Sequence, residues 1–121
     1  MDTMFNIRVP FANGAGVAVY FQNPYDRPCT LRNVRGVACG AFGSAETITI
    51  TENSGSTSLG VMTFAGTVAA ADVGAWVQDT TDGDHVIGAD EVIKILPSTG
   101  SAAYDAVLTL ELDPHCLTGL V

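Results

Sequence analysis

The sequence predicts an all-β domain, an antiparallel sandwich or jelly roll of about eight strands with an extended N-terminal segment, and three observations predict it. First, apolar residues alternate with Thr, Lys or Glu along 46–51 (ETITIT), 59–64 (LGVMTF), 91–96 (EVIKIL) and 107–112 (VLTLEL). That is the period of a strand with one face buried and one wet. Second, Ile48, Ile50, Gly55, Ser56, Met62, Thr63 and Phe64 recur in order as Ile93, Ile95, Gly100, Ser101, Leu108, Thr109 and Leu110. The stretch from Thr47 to Asp113 therefore reads as one hairpin written twice, each copy broken by a turn, Ser54-Gly55-Ser56 and then Thr99-Gly100-Ser101. Third, 13 glycines and 5 prolines punctuate the chain, and no segment keeps a helical period over three turns.

The elements follow in order. Residues 5–11 (FNIRVPF) set Phe5, Ile7, Val9 and Phe11 against Asn6, Arg8 and Pro10. Because Pro10 donates no backbone hydrogen bond, residues 1–12 read as an N-terminal arm or an edge strand. Residues 13–16 form a turn, 17–21 a strand, and 23–28 a loop holding Pro24 and Pro28. Residues 30–41 (TLRNVRGVACGA) form a strand whose glycines mark a bend or bulge. Residues 46–51 and 59–64 make the first hairpin, 68–72 a short helical turn or irregular crossing, and 75–78 a short strand around Trp76. Residues 79–84 (DTTDGD) are a surface loop, Val86 and Ile87 pair briefly, and 91–96 with 107–112 make the second hairpin. The tail 115–121 is weakly patterned. One domain spans 1–121, long enough to bury a core without disulfides or metal.

Charged residues are 15 % of the chain, against about 25 % in ordinary domains, so part of the surface is expected to be covered by partners. Arg8, Arg27, Arg32 and Arg35 all precede Gly36, after which Lys94 stands alone among the acids. A net charge of −8 excludes a nucleic-acid groove, which needs clustered cations, and disfavours an anionic membrane surface. Cys29, Cys39 and Cys116 lack C-x-x-C spacing and read as buried free thiols. Neither an apolar run of about 18 residues nor a basic, then apolar leader is visible. Folding in a reducing cytoplasm is the expectation.

No catalytic constellation and no cofactor site emerges, and the chain reads as a protein that is not an enzyme. The closest approach to a metal site is Asp79, Asp82 and Asp84, with Asp90 nearby. Their spacing departs from an EF-hand and the terminal Glu is missing, so a solvated turn is the reading and no metal is expected. His115 and Cys116 are adjacent and point to opposite sides of an extended strand, which rules them out as joint zinc ligands. A Cys116–His dyad has no accompanying oxyanion-hole glycines. Trp76, Tyr20, Tyr25 and Tyr104 are few enough to be core or half-buried rings rather than a sugar platform. Arg8, Arg27, Arg32 and Arg35 are candidates for bidentate carboxylate contacts with neighbouring subunits, with ordinary solvent-facing arginine as the alternative. Arg32 and Arg35 fall on opposite faces of a regular strand, and a bulge would bring them together.

In its FNIRVPF start, its ITITENSGSTSLGVMTF hairpin, its VAAADV crossing and its GADEVIKILPSTGSAAYDAVLTLEL segment, the chain resembles the small jelly-roll decoration (cement) proteins of tailed-bacteriophage heads. The resemblance covers most of the chain. It implies a homotrimer, made in the host cytoplasm and seated at three-fold or quasi-three-fold positions on the outer capsid surface of the virion, where it clamps adjacent major capsid proteins after the shell expands. On that implication Phe5, Ile7, Arg8, Val9 and Phe11, with Arg27, Arg32 and Arg35, contact the capsid or a sister subunit, and the loop 79–84 points outward. The alternative is a head-fibre or receptor- or carbohydrate-binding β module of a virion. A carbohydrate-active enzyme and a secreted adhesin are further rivals.

Overall fold

The computed structural model describes residues 3–11, 17–40, 45–52, 58–65, 72–79, 86–98 and 104–114. These contain nine strands and no helix: β1 (Thr3–Val9), β2 (Val19–Gln22), β3 (Cys29–Ala38), β4 (Glu46–Glu52), β5 (Ser58–Phe64), β6 (Ala75–Gln78), β7 (Val86–Ile87), β8 (Val92–Pro97) and β9 (Ala106–Pro114). Sheet one has four strands in the order β1-β9-β3-β7, and sheet two has five in the order β2-β8-β4-β5-β6. Every pairing is antiparallel.

The order is that of a jelly roll. β4 pairs with β5, β3 with β7, β2 with β8 and β1 with β9, so the chain is one long hairpin closed between β4 and β5 and rolled into two layers. The additional pairs β3·β9 and β4·β8 knit the rolled ribbon into sheets. The ninth strand, β6, is an addition at the β5 edge.

Alternation sets which side chains meet between the layers. Ile48, Ile50, Met62, Phe64, Ile93 and Ile95 come from sheet two, and Val9, Leu31, Val34, Leu108, Leu110 and Leu112 from sheet one, all fully or almost fully buried. Each such side chain contributes about 1.5–3 kcal/mol relative to an exposed one. The intervening Thr47, Thr49 and Thr51 of β4 point the other way.

The second hairpin is not a hairpin. β8 lies in sheet two between β2 and β4, whereas β9 lies in sheet one between β1 and β3. Strands with one face on the core carry the same alternation whichever sheet holds them, so the repeat reports burial and leaves the neighbour open. The N-terminal segment is an edge strand, paired with β9 from Thr3↔Leu112 to Val9↔Ala106.

One further segment ties the layers. The Ala38 amide donates to the Asp72 carbonyl (2.9 Å), Val73 bridges Val37, and the Gly74 amide donates to the Gly36 carbonyl (3.0 Å), so residues 72–74 run along sheet one. The chain then enters sheet two as β6. Gly74 permits the crossing, since a Cβ there would sit 2.5 Å from Met62 Sδ. Of the expected 68–72 crossing only Asp72 is among the described residues. On the opposite side, Phe5 of β1 and Phe21 of β2 close the gap with ring centroids 5.4 Å apart.

Candidate docking surfaces

The bulge in β3 decides where the arginines point. Leu31 pairs with Leu112 and Asn33 with Glu111, leaving Arg32 as the extra residue. Leu31 and Val34 are both buried as a result, while Arg32 and Arg35 are both exposed. The two guanidinium groups therefore share the outer face of sheet one, the outcome a bulge was expected to bring. Arg8 joins them from β1, opposite Val107.

Two of these arginines are engaged within the chain. Arg8 Nη1 lies 3.1 Å from Asp105 Oδ2 and Arg32 Nη2 lies 2.6 Å from Asp113 Oδ2. Arg27, in the connection after β2, approaches Asp26 at 3.7 Å. Arg35 makes no ion pair among the described residues. With Glu111 outward on β9 as well, the outer face of sheet one is a mixed, charge-balanced surface.

The apolar stripe of the N-terminal segment does not face outward. Val9 is 0 % exposed and Phe11 4 %, Ile7 packs against the core, and Phe5 lies against Phe21 and Tyr25. Expected as contacts to another chain, these residues instead complete this chain's own core, because pairing β1 with β9 turns their side of the strand inward. Met4, Asn6 and Arg8 carry the outward side.

The remaining candidates separate. Asp79 follows the last residue of β6, its amide donating to the Leu59 carbonyl at 3.0 Å, whereas Asp82 and Asp84 lie outside the described residues, as do His85, His115 and Cys116. No cluster of three or more His, Cys, Asp or Glu occurs among the described residues. Cys29 is buried as expected, and Cys39 is exposed, contrary to expectation, because it follows the last residue of β3. Burial, and then the negative charge of Asp113, push the Cys29 thiol up to about 11, which makes it a poor nucleophile. The aromatic rings do not gather. Trp76 lies inward over Gly60, Tyr25 stands edge-on to Phe5, Tyr104 covers Gly40, and Tyr20 is on the outer face of sheet two.

Two surface features were not singled out from the sequence. The first is a difference between the ends of the roll. Among the described residues, 23–28, 79 and 88–91 lie at one end and hold Asp26, Asp79, Asp90 and Glu91 against Arg27 alone. At the other end the described connecting residues, 10–11, 17–18, 39–40, 45, 65, 72–74, 98 and 104–105, hold Asp72, Asp105 and no Lys or Arg. At this second end Val17, Val73 and Tyr104 are exposed, Val73 to 73 %. The second feature is the outer face of sheet two, where Leu96, Thr49, Val61 and Val77 form a cross-strand row that carries no acid. The strand alternation already contained this face; the end-to-end difference required the topology.

No protein-family model matches the chain, and no curated protein sequence matches it. The class its fold defines is an all-β, two-layer antiparallel sandwich with jelly-roll strand order.

Proposed function

We propose that this chain is a structural virion protein, a decoration (cement) protein that binds the outer surface of a tailed-phage head as a homotrimer and stabilises the expanded shell, with the major capsid protein as its partner. The carrying observation is the contrast between its ends. An end with exposed Val17, Val73 and Tyr104, whose described connecting residues hold only Asp72 and Asp105 as charges, loses little hydration when it seats on another protein. The acidic end suits solvent, where like charge keeps particles apart. In this reading the end that exposes Val17, Val73 and Tyr104 meets the capsid and the acidic end faces outward.

The mechanism is linkage. A ligand that binds the expanded lattice and not its precursor shifts the shell toward the expanded state by its differential affinity. Three linked copies hold more firmly than one because each bound copy raises the effective concentration of the next. No bond needs to be made or broken.

The test is co-sedimentation of the purified chain with expanded and unexpanded heads. Selective binding to expanded heads, weakened by Val73→Asp and unchanged by Asp26→Asn at the other end, is the expected result. Equal binding to both head forms, or indifference to Val73→Asp in a folded protein, would contradict the proposal.

A further inference from the structure

We propose that residues 72–79 form a strap that opens and closes as one unit while the two sheets stay folded, and that a partner seated on its Val73 end holds it shut. Closed, the strap belongs to neither sheet alone. Its first residues bond to β3, the Asp72 carbonyl accepting from the Ala38 amide and the Gly74 amide donating to the Gly36 carbonyl. Its later residues pair with β5, from Ala75 opposite Thr63 to Gln78 opposite Gly60, and the Asp79 amide donates to the Leu59 carbonyl. The segment therefore spans the side of the sandwich between β3 and β5. The eight strands of the roll pair with one another without it.

Little apolar area holds the strap down. None of residues 72–79 is fully buried, whereas β3, β4, β5, β8 and β9 each hold two or more buried residues. Val73 and Val77 point outward, Ala75 is exposed between them, and the half-buried Trp76 is the strap's one apolar side chain packed against the core. The seam with sheet one runs between Gly36 and Gly74, which have no side chains to interlock. Met62 fills the space beneath, since a Cβ on Gly36 would sit 3.0 Å from its Cε and one on Gly74 2.5 Å from its Sδ. The latch is polar: Gln78 Nε2 donates to the Leu31 carbonyl beside the β3 bulge at 3.1 Å, and Gln78 Oε1 accepts from Trp76 Nε1 at 3.3 Å. A segment with few buried apolar contacts opens before the strands around it. Opening uncovers Met62 and Phe64, both 0 % exposed when the strap is closed. Val73 bridges Val37, itself exposed, only in the closed form, so a surface that fits both favours closure by its differential affinity.

The coupling to a partner rests on the reading of the Val17, Val73 and Tyr104 end as the capsid seat; the opening itself does not. Hydrogen exchange read by mass spectrometry on the purified chain measures the opening. Amides of 74–79 should exchange about 100-fold faster than those of β4 and β8, at a rate that dilute urea leaves unchanged while it speeds the core. Ile95→Val on β8, three strands from β6, should speed core exchange by about fivefold and leave the strap's rate as it was. Gln78→Ala, which removes the latch, should speed strap exchange by about fivefold. Strap amides that exchange only with the core, following its urea dependence and its response to Ile95→Val, would overturn the inference. So would a folded Gln78→Ala protein whose strap exchanges as in the wild type. On expanded heads the strap should exchange about tenfold more slowly, and heads that bind yet leave it fast would overturn the coupling. Local opening in a chain that binds no heads would instead sustain the strap and end the decoration reading.

Discussion

Asn23 donates from Nδ2 to the carbonyl of Gly88 at 2.9 Å, joining the connection after β2 to the turn that enters β8. The same amide reaches the carbonyls of Arg27 and Ile87, its Oδ1 accepts from the Tyr25 amide, and its own backbone amide donates to Glu91. Asn23 is 2 % exposed, so water cannot replace these bonds. Asn23→Ala should cost about 3 kcal/mol, the penalty of stranding buried carbonyls. Urea unfolding measures it, and a loss below about 0.5 kcal/mol, the range of ordinary surface changes, would show that the hub is unimportant.

Gly60 makes room for the indole of Trp76. Its φ is +157° and a Cβ would lie 2.4 Å from Trp76 Cζ2 and 2.7 Å from the Val77 carbonyl. Gly60→Ala should destabilise by about 2 kcal/mol or more, through strain and overpacking together. Trp76 is the chain's single tryptophan, so its fluorescence reports the displacement directly. An unshifted emission maximum with unchanged stability would contradict the packing described.

Glu46 is 1 % exposed, and Ser98 serves it. The Ser98 hydroxyl donates to Glu46 Oε1 at 2.6 Å and accepts from the Thr47 amide at 2.9 Å. Ser98→Ala removes a donor and an acceptor at once, and about 1–3 kcal/mol of stability should go with them. Ser98→Thr, which keeps the hydroxyl, should recover part of that loss.

Cys29 gives stability a pH dependence of known sign. Its folded-state pKa is about 11, raised from 9.0 by burial and by Asp113. Between those values the unfolded chain has lost the thiol proton that the folded chain retains, so stability falls as pH rises through this window and is fully present below it. Comparing wild type with Cys29→Ala from pH 8 to 10.5 isolates the effect. The wild type should lose more stability over that range, and parallel curves would contradict the assignment.

Alternation made the strands legible, because Ile48, Ile50, Ile93 and Ile95 recur at a spacing of two on strands with one wet face. Even the shared face of Arg32 and Arg35 was legible conditionally, since the odd spacing required a bulge and one exists between Leu31 and Asn33. Partner choice was not. Leu108 and Leu110 read the same whether β9 lies beside β8 or beside β1, and only the long-range closure of the roll distinguishes the two. For the same reason the stripe Phe5, Ile7, Val9 and Phe11 read as a sticky surface when it is a wall of the core. A strand pattern shows that one side must be covered and leaves open what covers it.

That inward turn also changes how capsid attachment is tested. Deleting residues 1–11 would remove Val9 and Phe11 from the core, so lost binding would report unfolding. Imaging assembled heads is more direct: density matching a jelly roll should stand on the outer shell at three-fold or quasi-three-fold positions, with the Val17, Val73 and Tyr104 end toward the capsid. Particles purified from infected cells that carry this chain nowhere on their surface would contradict the account.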